Sequence, residues 1–280
     1  MNLDFVKNLT LSEIQLLLEE IPAESDTESV YLFKLDPQKF VEKLPRKTIK
    51  KIKAIIHKIE QGYPLEYAVG KTFFYGEKFF IKEGVLIPRP ETEFLVETVI
   101  DFAKENPEED IMEVGTGSGA AIITLTKKIL NQENSDRNES TGKLIGIELS
   151  KKAYDNTVEN LKLHGMLSKI EVINADFFKI SRDRIPTIVF SNPPYIATHE
   201  AVLSKYEDRL ALFAGARGTE FYEKLFKKLK RGKILIVEVS PRAAQILKEK
   251  IKKPKFRASL IKVVKDFDER ERVFVYWLWE

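Results

Sequence analysis

The sequence predicts an α/β fold: a mostly parallel sheet whose last strand runs antiparallel, preceded by a small helical N-terminal domain and a β-hairpin connector. Three observations carry this reading. From about residue 91 onward, apolar strand-like runs alternate with amphipathic helical stretches, as the crossovers of a parallel sheet require. The last two runs are joined only by DERE at 268–271, too short for a crossover helix, so the final strand turns back on its neighbour. The first sixty residues read as helices.

Within that N-terminal part, Thr10 and Glu13 fit a capping box ahead of IQLLLEEI, each satisfying an otherwise unpaired backbone donor. The segment PRKTIKKIKAIIHKIEQG places Ile49, Ile52, Ile56 and Ile59 at steps of three and four, one apolar stripe with lysines on the other faces. Gly62 suits the C-terminal stop. FFYGEKFFI, with Gly76 between aromatic runs, reads as a hairpin, and VLIPRPE leads out of it. The expected divisions are residues 1–66, 67–90 and 91–280. Strands are expected at 111–115, 143–149, 170–176, 187–192, 233–239, 259–267 and 272–279, with the polar, aperiodic stretch 131–142 as a surface loop. There is no internal repeat.

Composition narrows the function. At 280 residues, 43% hydrophobic and 32% charged, the chain has the makings of a sizeable core. The net charge of +3 gives no strong field for nucleic acid or membrane. No Cys is present, which removes disulfides, thiolate zinc sites and cysteine nucleophiles, and the three histidines lie far apart in sequence. No run of eighteen apolar residues occurs, and MNLDFVKNLT lacks a basic region followed by an apolar core. The expectation is a cytoplasmic protein with no membrane span and no metal. The lysine-rich stretches 224–233 and 248–257 carry apolar residues at helical spacing, which favours solvated helix faces over a phosphate-binding patch.

Four motifs carry the chemistry. EVGTGSG, at 113–119, follows an apolar strand and opens a helix, where Gly115, Thr116, Gly117, Ser118 and Gly119 would let the backbone approach a ligand closely. Its spacing is G-x-G-x-G, without the G-x-G-x-x-G of a dinucleotide turn or the Lys-Ser/Thr of a P-loop. Glu148 closes the next strand; an acid there can accept both hydroxyls of a ribose, or simply face solvent. Asp176 and Phe177 end the third strand and could take the amino group and ring face of an adenine. SNPPYIA, at 191–197, follows the apolar run TIVF. Two prolines have no N–H to give to a ladder, so the strand stops there. By itself the stretch fits a simple turn as well as a ligand site.

Taken together, glycine turn, strand-end acid, Asp-Phe and Asn-Pro-Pro-Tyr stand at strand ends in the order of the Rossmann-like class I methyltransferases that use S-adenosylmethionine, and the resemblance includes the antiparallel last strand. An [ND]-PP-[YFW] sequence after the fourth strand is similar to the enzymes that methylate planar amino groups: adenine N6, guanine N2 and glutamine N5. Such a nitrogen is a poor nucleophile because its lone pair is delocalised. Asn192 could accept one N–H through its side-chain oxygen and the Pro193 carbonyl the other. Pro194 would stiffen that geometry, and Tyr195 would offer a face to the planar group.

The stretch GYPLEYAVGKTFFYGEKFFIKEGVLIPRPETEFLVE, at 62–97, closely resembles the connector of the peptide chain release factor glutamine N5-methyltransferases, with PRPETE at 88–93 among its most specific features. The resemblance covers most of the chain. It implies that Gly115 to Gly119, Glu148, Asp176, Phe177 and Asn192 bind S-adenosylmethionine, that Asn192, Pro193, Pro194 and Tyr195 hold the glutamine side chain, and that Arg89 orders the connector near the site. The helical N-terminal domain would recognise the substrate, the GGQ loop of a release factor. No nucleic acid, membrane or metal partner is implied. Ribosomal-protein glutamine methyltransferases, which usually carry PRSP here, and nucleic-acid amino methyltransferases are the alternatives. This sequence departs from the family in having Glu148 where Asp is usual, EVSP at 238–241 for E-[IV]-G, Glu269 for a glycine, and Ala214 and Arg217 for a glycine and an acid.

Overall fold

The computed structural model describes residues 14, 17, 44–133, 142–194, 206, 217–229 and 231–279. The chain divides into two compact units: residues 1–73 with 80–83, and residues 74–79 with 84–280. Thr10, Glu13, Tyr195 and Ala214, and residues 134–141 of the stretch expected as a loop, lie outside the described residues; residues 131–133 of that stretch are instead the last residues of a helix.

In the first unit, α1 (Arg46–Glu60) and α2 (Leu65–Val69) follow one another across a turn in which Gly62 has φ +79°. The stripe expected from the isoleucine spacing forms: Ile52, Ile55 and Ile56 are buried, and with Ile14, Leu17, Leu44 and Leu65 they make the core of this unit, against which Ile49 and Ile59 also pack. The lysines of α1 share its other faces. A hairpin of β1 (Lys71–Phe74) and β2 (Glu77–Phe80) comes next, in the place the sequence assigns to it. Tyr75 and Gly76 make its turn with φ of 55° and 73°.

The second unit is built on a seven-stranded sheet. Its elements in chain order are α3 (Thr92–Glu105), β3 (Ile111–Val114), α4 (Ala120–Glu133), β4 (Leu144–Glu148), α5 (Lys151–Leu163), β5 (Ile170–Asn174), β6 (Ile188–Ser191), α6 (Glu220–Lys228), β7 (Lys233–Glu238), α7 (Pro241–Ile251), β8 (Ala258–Lys265) and β9 (Glu271–Leu278). The strand order is β5-β4-β3-β6-β7-β9-β8. β3 to β7 pair in parallel, while β9 runs antiparallel to both β7 and β8. All seven expected strands and the antiparallel last one are present.

Both faces of the sheet are covered, as a parallel sheet demands. On one face, Ile111, Ile188, Phe190 and Ile236 join Leu95, Val96 and Val99 of α3 and Ile122 and Ile123 of α4. On the other, Met112, Val114, Val189 and Leu235 join Leu225 and Phe226 of α6 and Ala243, Ala244 and Leu247 of α7. The alternation along β3 and β6 follows from the two-residue period of a strand, and apolar residues on both sides explain why these runs read as continuous.

Three departures from the family acquire local reasons. In EVSP, the Ser240 hydroxyl accepts the Ala243 N–H and Pro241 occupies the first turn of α7, a favourable helix start. Glu269 sits at φ +61° in the β8–β9 turn, the left-handed region where glycine is at ease. Arg217 pairs with Glu220 at 3.1 Å and Glu223 at 3.3 Å, so its charge is engaged by the helix that follows it. Among the described residues, no helix is long and apolar enough to cross a membrane.

Candidate active site

Because β3, β4, β5 and β6 are parallel neighbours, their carboxyl ends lie along one edge of the sheet, where open α/β sheets bind ligands. The segments leaving those four strands enclose a cavity of about 150 Å³, and its lining includes Gly115, Gly117, Glu148, Asp176, Phe177, Asn192, Pro193 and Pro194. Eight residues selected from the sequence therefore meet in one place. Thr116, Ser118 and Gly119 stand behind the turn instead. Thr116 Oγ1 lies 3.0 Å from Thr157 Oγ1, the Thr157 hydroxyl donates to the Gly117 carbonyl at 3.0 Å, and Asn160 Nδ2 donates to the Ser118 carbonyl at 2.8 Å. These bonds tie the glycine turn to α5. A Cβ on Gly119 would lie 2.9 Å from Thr157 Cγ2, so the third glycine serves close packing and the first two serve the cavity.

Glu148 is buried and both of its oxygens are held. Oε2 accepts the Gly117 N–H at 2.9 Å and Oε1 accepts the Ser150 N–H at 2.8 Å. A carboxylate has about four acceptor positions, and these two bonds use two of them. Asp176 uses Oδ1 to accept the Phe178 N–H at 2.9 Å, which turns the chain into a short 3₁₀ segment and sets Phe177 against the cavity. Phe178 stacks edge-on with Phe177 at 5.5 Å and with Phe221 of α6 at 5.3 Å.

Asn192 is held from the opposite side. Its Nδ2 donates to Thr92 Oγ1 at 2.9 Å, and the Thr92 hydroxyl donates to Glu238 Oε2 at 2.7 Å. Glu238, at the end of β7, is 1% exposed. Burial pushes its carboxyl up to about 7, with Glu91 adding to the rise and Thr92, Arg272 and Arg89 opposing it. The cavity lining does not include Arg89, whose charge is one of those favouring the ionised form of Glu238. Glu113 of EVGTGSG is buried as well, and its Oε2 has no hydrogen-bond partner among the described residues. Burial raises its carboxyl well above the ordinary value, the charge of Glu148 adds to this, and the Ile122 N–H offsets part of it.

Sequence reasoning missed several parts of this site. Val85 and Leu86 from the connector, Leu149 after the strand-end acid, and Phe178 and Phe221 all line the cavity. Leu149 is 58% exposed, and a leucine directly after the strand-end acid is the signal that could have found it. Thr92 and Glu238 stand inside the noted stretches PRPETE and EVSP, but only the packing of α3 on β7 brings them together.

Residues 85–264 match the N-6 DNA methylase family. The chain is 33% identical over 251 residues to the release factor glutamine methyltransferase of Dictyoglomus turgidum, covering 85% of this chain and 84% of that one. It is 27% identical over 294 aligned positions to the enzyme of the same name from Aquifex aeolicus, covering 98% and 99%. Among solved structures, the tRNA m1G37 methyltransferase of M. jannaschii is similar with a TM-score of 0.49 at 14% identity, over 75% of this chain and 55% of that one. One third identity sustained across 85% of one chain and 84% of the other makes this chain a member of the release factor glutamine methyltransferase family.

Proposed function

We propose that the protein transfers a methyl group from S-adenosylmethionine to the side-chain amide nitrogen, N5, of the glutamine in the GGQ loop of peptide chain release factors. The observation that carries this reading is the meeting of a glycine turn, a doubly held strand-end acid and Asn192-Pro193-Pro194 around one cavity, in a chain of this family.

The residues fit the cofactor. Glu148, fixed by Gly117 and Ser150, is set to accept ribose hydroxyls. Gly115 and Gly117 leave room beside it, and Asp176, Phe177 and Leu149 suit the amino group and faces of an adenine. When bound, S-adenosylmethionine supplies an electrophilic sulfonium methyl. Asn192 accepts one N–H of the glutamine amide through Oδ1 and the Pro193 carbonyl accepts the other, which places the nitrogen and increases its electron density as charge develops. Pro194 stiffens this arrangement, and Tyr195 keeps its sequence-based role as a platform for the amide. The nitrogen would gain the methyl group as the methyl–sulfonium bond breaks and its electron pair returns to sulfur as a neutral thioether, and would lose a proton to water, so positioning, rather than a strong base, carries the rate.

The N-6 DNA methylase match supports a second reading, methylation of an adenine amino group in nucleic acid. A flipped base needs a basic, aromatic-lined surface, and the net charge of +3 does not favour one. The relatives' names favour the release factor, a cytoplasmic partner. Mass spectrometry of a purified bacterial release factor incubated with the protein and S-adenosylmethionine tests the proposal. One added methyl group on the GGQ glutamine, lost in Asn192→Ala while cofactor binding persists, is the expected result. Methylation of RNA or DNA with an unmodified release factor would overturn it.

A further inference from the structure

The reading of Asn192 as an acceptor leaves one question: a primary amide has an oxygen branch and an NH₂ branch of nearly equal shape, so something must set which branch meets the substrate. A glutamine amide brings two N–H groups. If Asn192 turned its NH₂ toward them, donors would face donors.

Three residues from distant parts of the chain settle the choice. Thr92 opens α3 and is 6% exposed; Glu238 ends β7 and is 1% exposed; Asn192 follows β6. A hydroxyl has a single proton to give. Thr92 gives it to Glu238 Oε2 at 2.7 Å, so only a lone pair of Oγ1 is offered to Asn192, and Nδ2 takes it at 2.9 Å. The oxygen branch of Asn192 is then the one turned away from Thr92.

We propose that Thr92 and Glu238 are positioning residues for the methyl transfer, acting as a buried Glu238–Thr92–Asn192 chain that fixes the Asn192 carboxamide with its oxygen toward the substrate amide. The proposal rests on the assignment of Asn192 made above. Its logic depends on charge. An ionised Glu238 can only accept. A protonated Glu238 donates to Thr92, the Thr92 proton swings toward Asn192, and the carboxamide turns over to meet it, offering NH₂ to the substrate.

The groups around Glu238 hold that switch near neutrality. Glu91, before α3, and burial favour the protonated form, while Arg89 on the same segment, Arg272 of β9 and the Thr92 hydroxyl favour the ionised one. Arg272 is itself shared with Asp266 at 2.7 Å and Glu91 at 3.4 Å. Tyr222 of α6 donates to the Glu238 carbonyl at 2.8 Å, pinning the backbone that carries the carboxylate. Because the acid sits near 7, kcat/KM is set to fall as pH drops through that value and the carboxamide inverts.

The test uses the full-length protein, S-adenosylmethionine and a release factor, with kcat/KM measured from pH 6 to 9 and cofactor affinity measured alongside. Thr92→Val keeps the side-chain shape and removes the hydroxyl; it is expected to lower kcat/KM by about 100-fold with cofactor affinity unchanged within twofold, and to lose the acid limb of the profile. Thr92→Ser, which restores the hydroxyl, is expected to recover most of the activity and the acid limb. Thr92→Val combined with Asn192→Ala is expected to lose no more than Asn192→Ala alone, as for residues acting as one unit. Parent-like activity and pH profile in Thr92→Val, beside an inactive Asn192→Ala, overturns the positioning role and leaves the assignment of Asn192 intact. An active Asn192→Ala overturns both.

Discussion

Glu148 Oε2 accepts the backbone N–H of Gly117 at 2.9 Å, so the acid that ends β4 holds the turn that follows β3. One side chain thereby shapes two of the segments that line the cavity. Glu148→Gln puts an NH₂ where one of two backbone N–H groups is now accepted, so a donor faces a donor. Losing one charge-assisted bond costs about 1.5–3 kcal/mol, and isothermal titration with S-adenosylmethionine is expected to show roughly 10- to 100-fold weaker binding. Glu148→Asp, one methylene shorter, keeps the charge and is expected to bind with an affinity between the two.

The packing of the glycine turn against α5 makes a separate prediction about stability. Gly119 has φ +82°, and an added Cβ would lie 2.9 Å from Thr157 Cγ2. Gly119→Ala therefore combines an unfavourable backbone conformation with a steric clash, a cost of about 1–3 kcal/mol. Thermal unfolding followed by circular dichroism is expected to show a midpoint lower by about 2–4 °C for each kcal/mol. Adding Thr157→Ser, which removes Cγ2 and keeps the hydroxyl, is expected to return part of the loss, and no recovery would locate the whole cost in the backbone.

Leu149 offers a cleaner test of the cofactor surface because its exposure separates binding from folding. It is 58% exposed on the rim of the cavity, where an adenine would cover it. Leu149→Asp forfeits that burial, worth about 1.5–3 kcal/mol for a whole leucine side chain, and is expected to weaken S-adenosylmethionine by about tenfold with an unfolding midpoint within about 1 °C of the parent. A large fall in midpoint would mean the residue supports the fold.

The buried Glu113 predicts how stability depends on pH. Its carboxyl titrates well above the ordinary value in the folded chain, whereas in the unfolded chain it titrates normally. Between those values the folded state binds more protons, so stability is fully present below the unfolded value and is lost as pH rises through the folded one. Glu113→Gln keeps an acceptor for the Ile122 N–H and removes the titration. Denaturant unfolding is expected to show the variant more stable than the parent at pH 8 and close to it at pH 5; the reverse order would mean the charge is stabilised in place.

The strands were legible because each is an apolar run stopped by a residue with a physical reason to stop it: Gly115 by its backbone freedom, Pro193 and Pro194 by their missing N–H groups, Asp176 by capping the turn that follows. The same features mark the ligand edge, which is why Glu148, Phe177 and Asn192 could be selected together. What a linear pattern does not encode is which strand lies beside which. Thr92 and Glu238 are 146 residues apart and meet because the start of α3 packs against the end of β7. Arg89, selected from PRPETE, does not line the cavity, while Thr92, three residues on, bonds both Asn192 and Glu238. Thr116, Ser118 and Gly119 carry the right pattern for a ligand turn, yet face Thr157 and Asn160, two polar residues hidden in a helix that periodicity reads as ordinary.

The placement of β9 between β7 and β8 also bears on how the chain is made. A ribosome releases β8 before β9, but β8 has β9 as its neighbour in the sheet, so the earlier strand must wait for the later one. Until β9 arrives, β7 presents an open edge of N–H and C=O groups, the kind of surface that recruits foreign strands. The half of the sheet holding the glycine turn and Glu148 needs no such delay, because β3, β4 and β5 are consecutive in sequence and in space. During synthesis the cofactor edge is therefore complete before the sheet is closed, and a nascent chain with its nucleotide-like pocket already shaped still carries an unprotected flank.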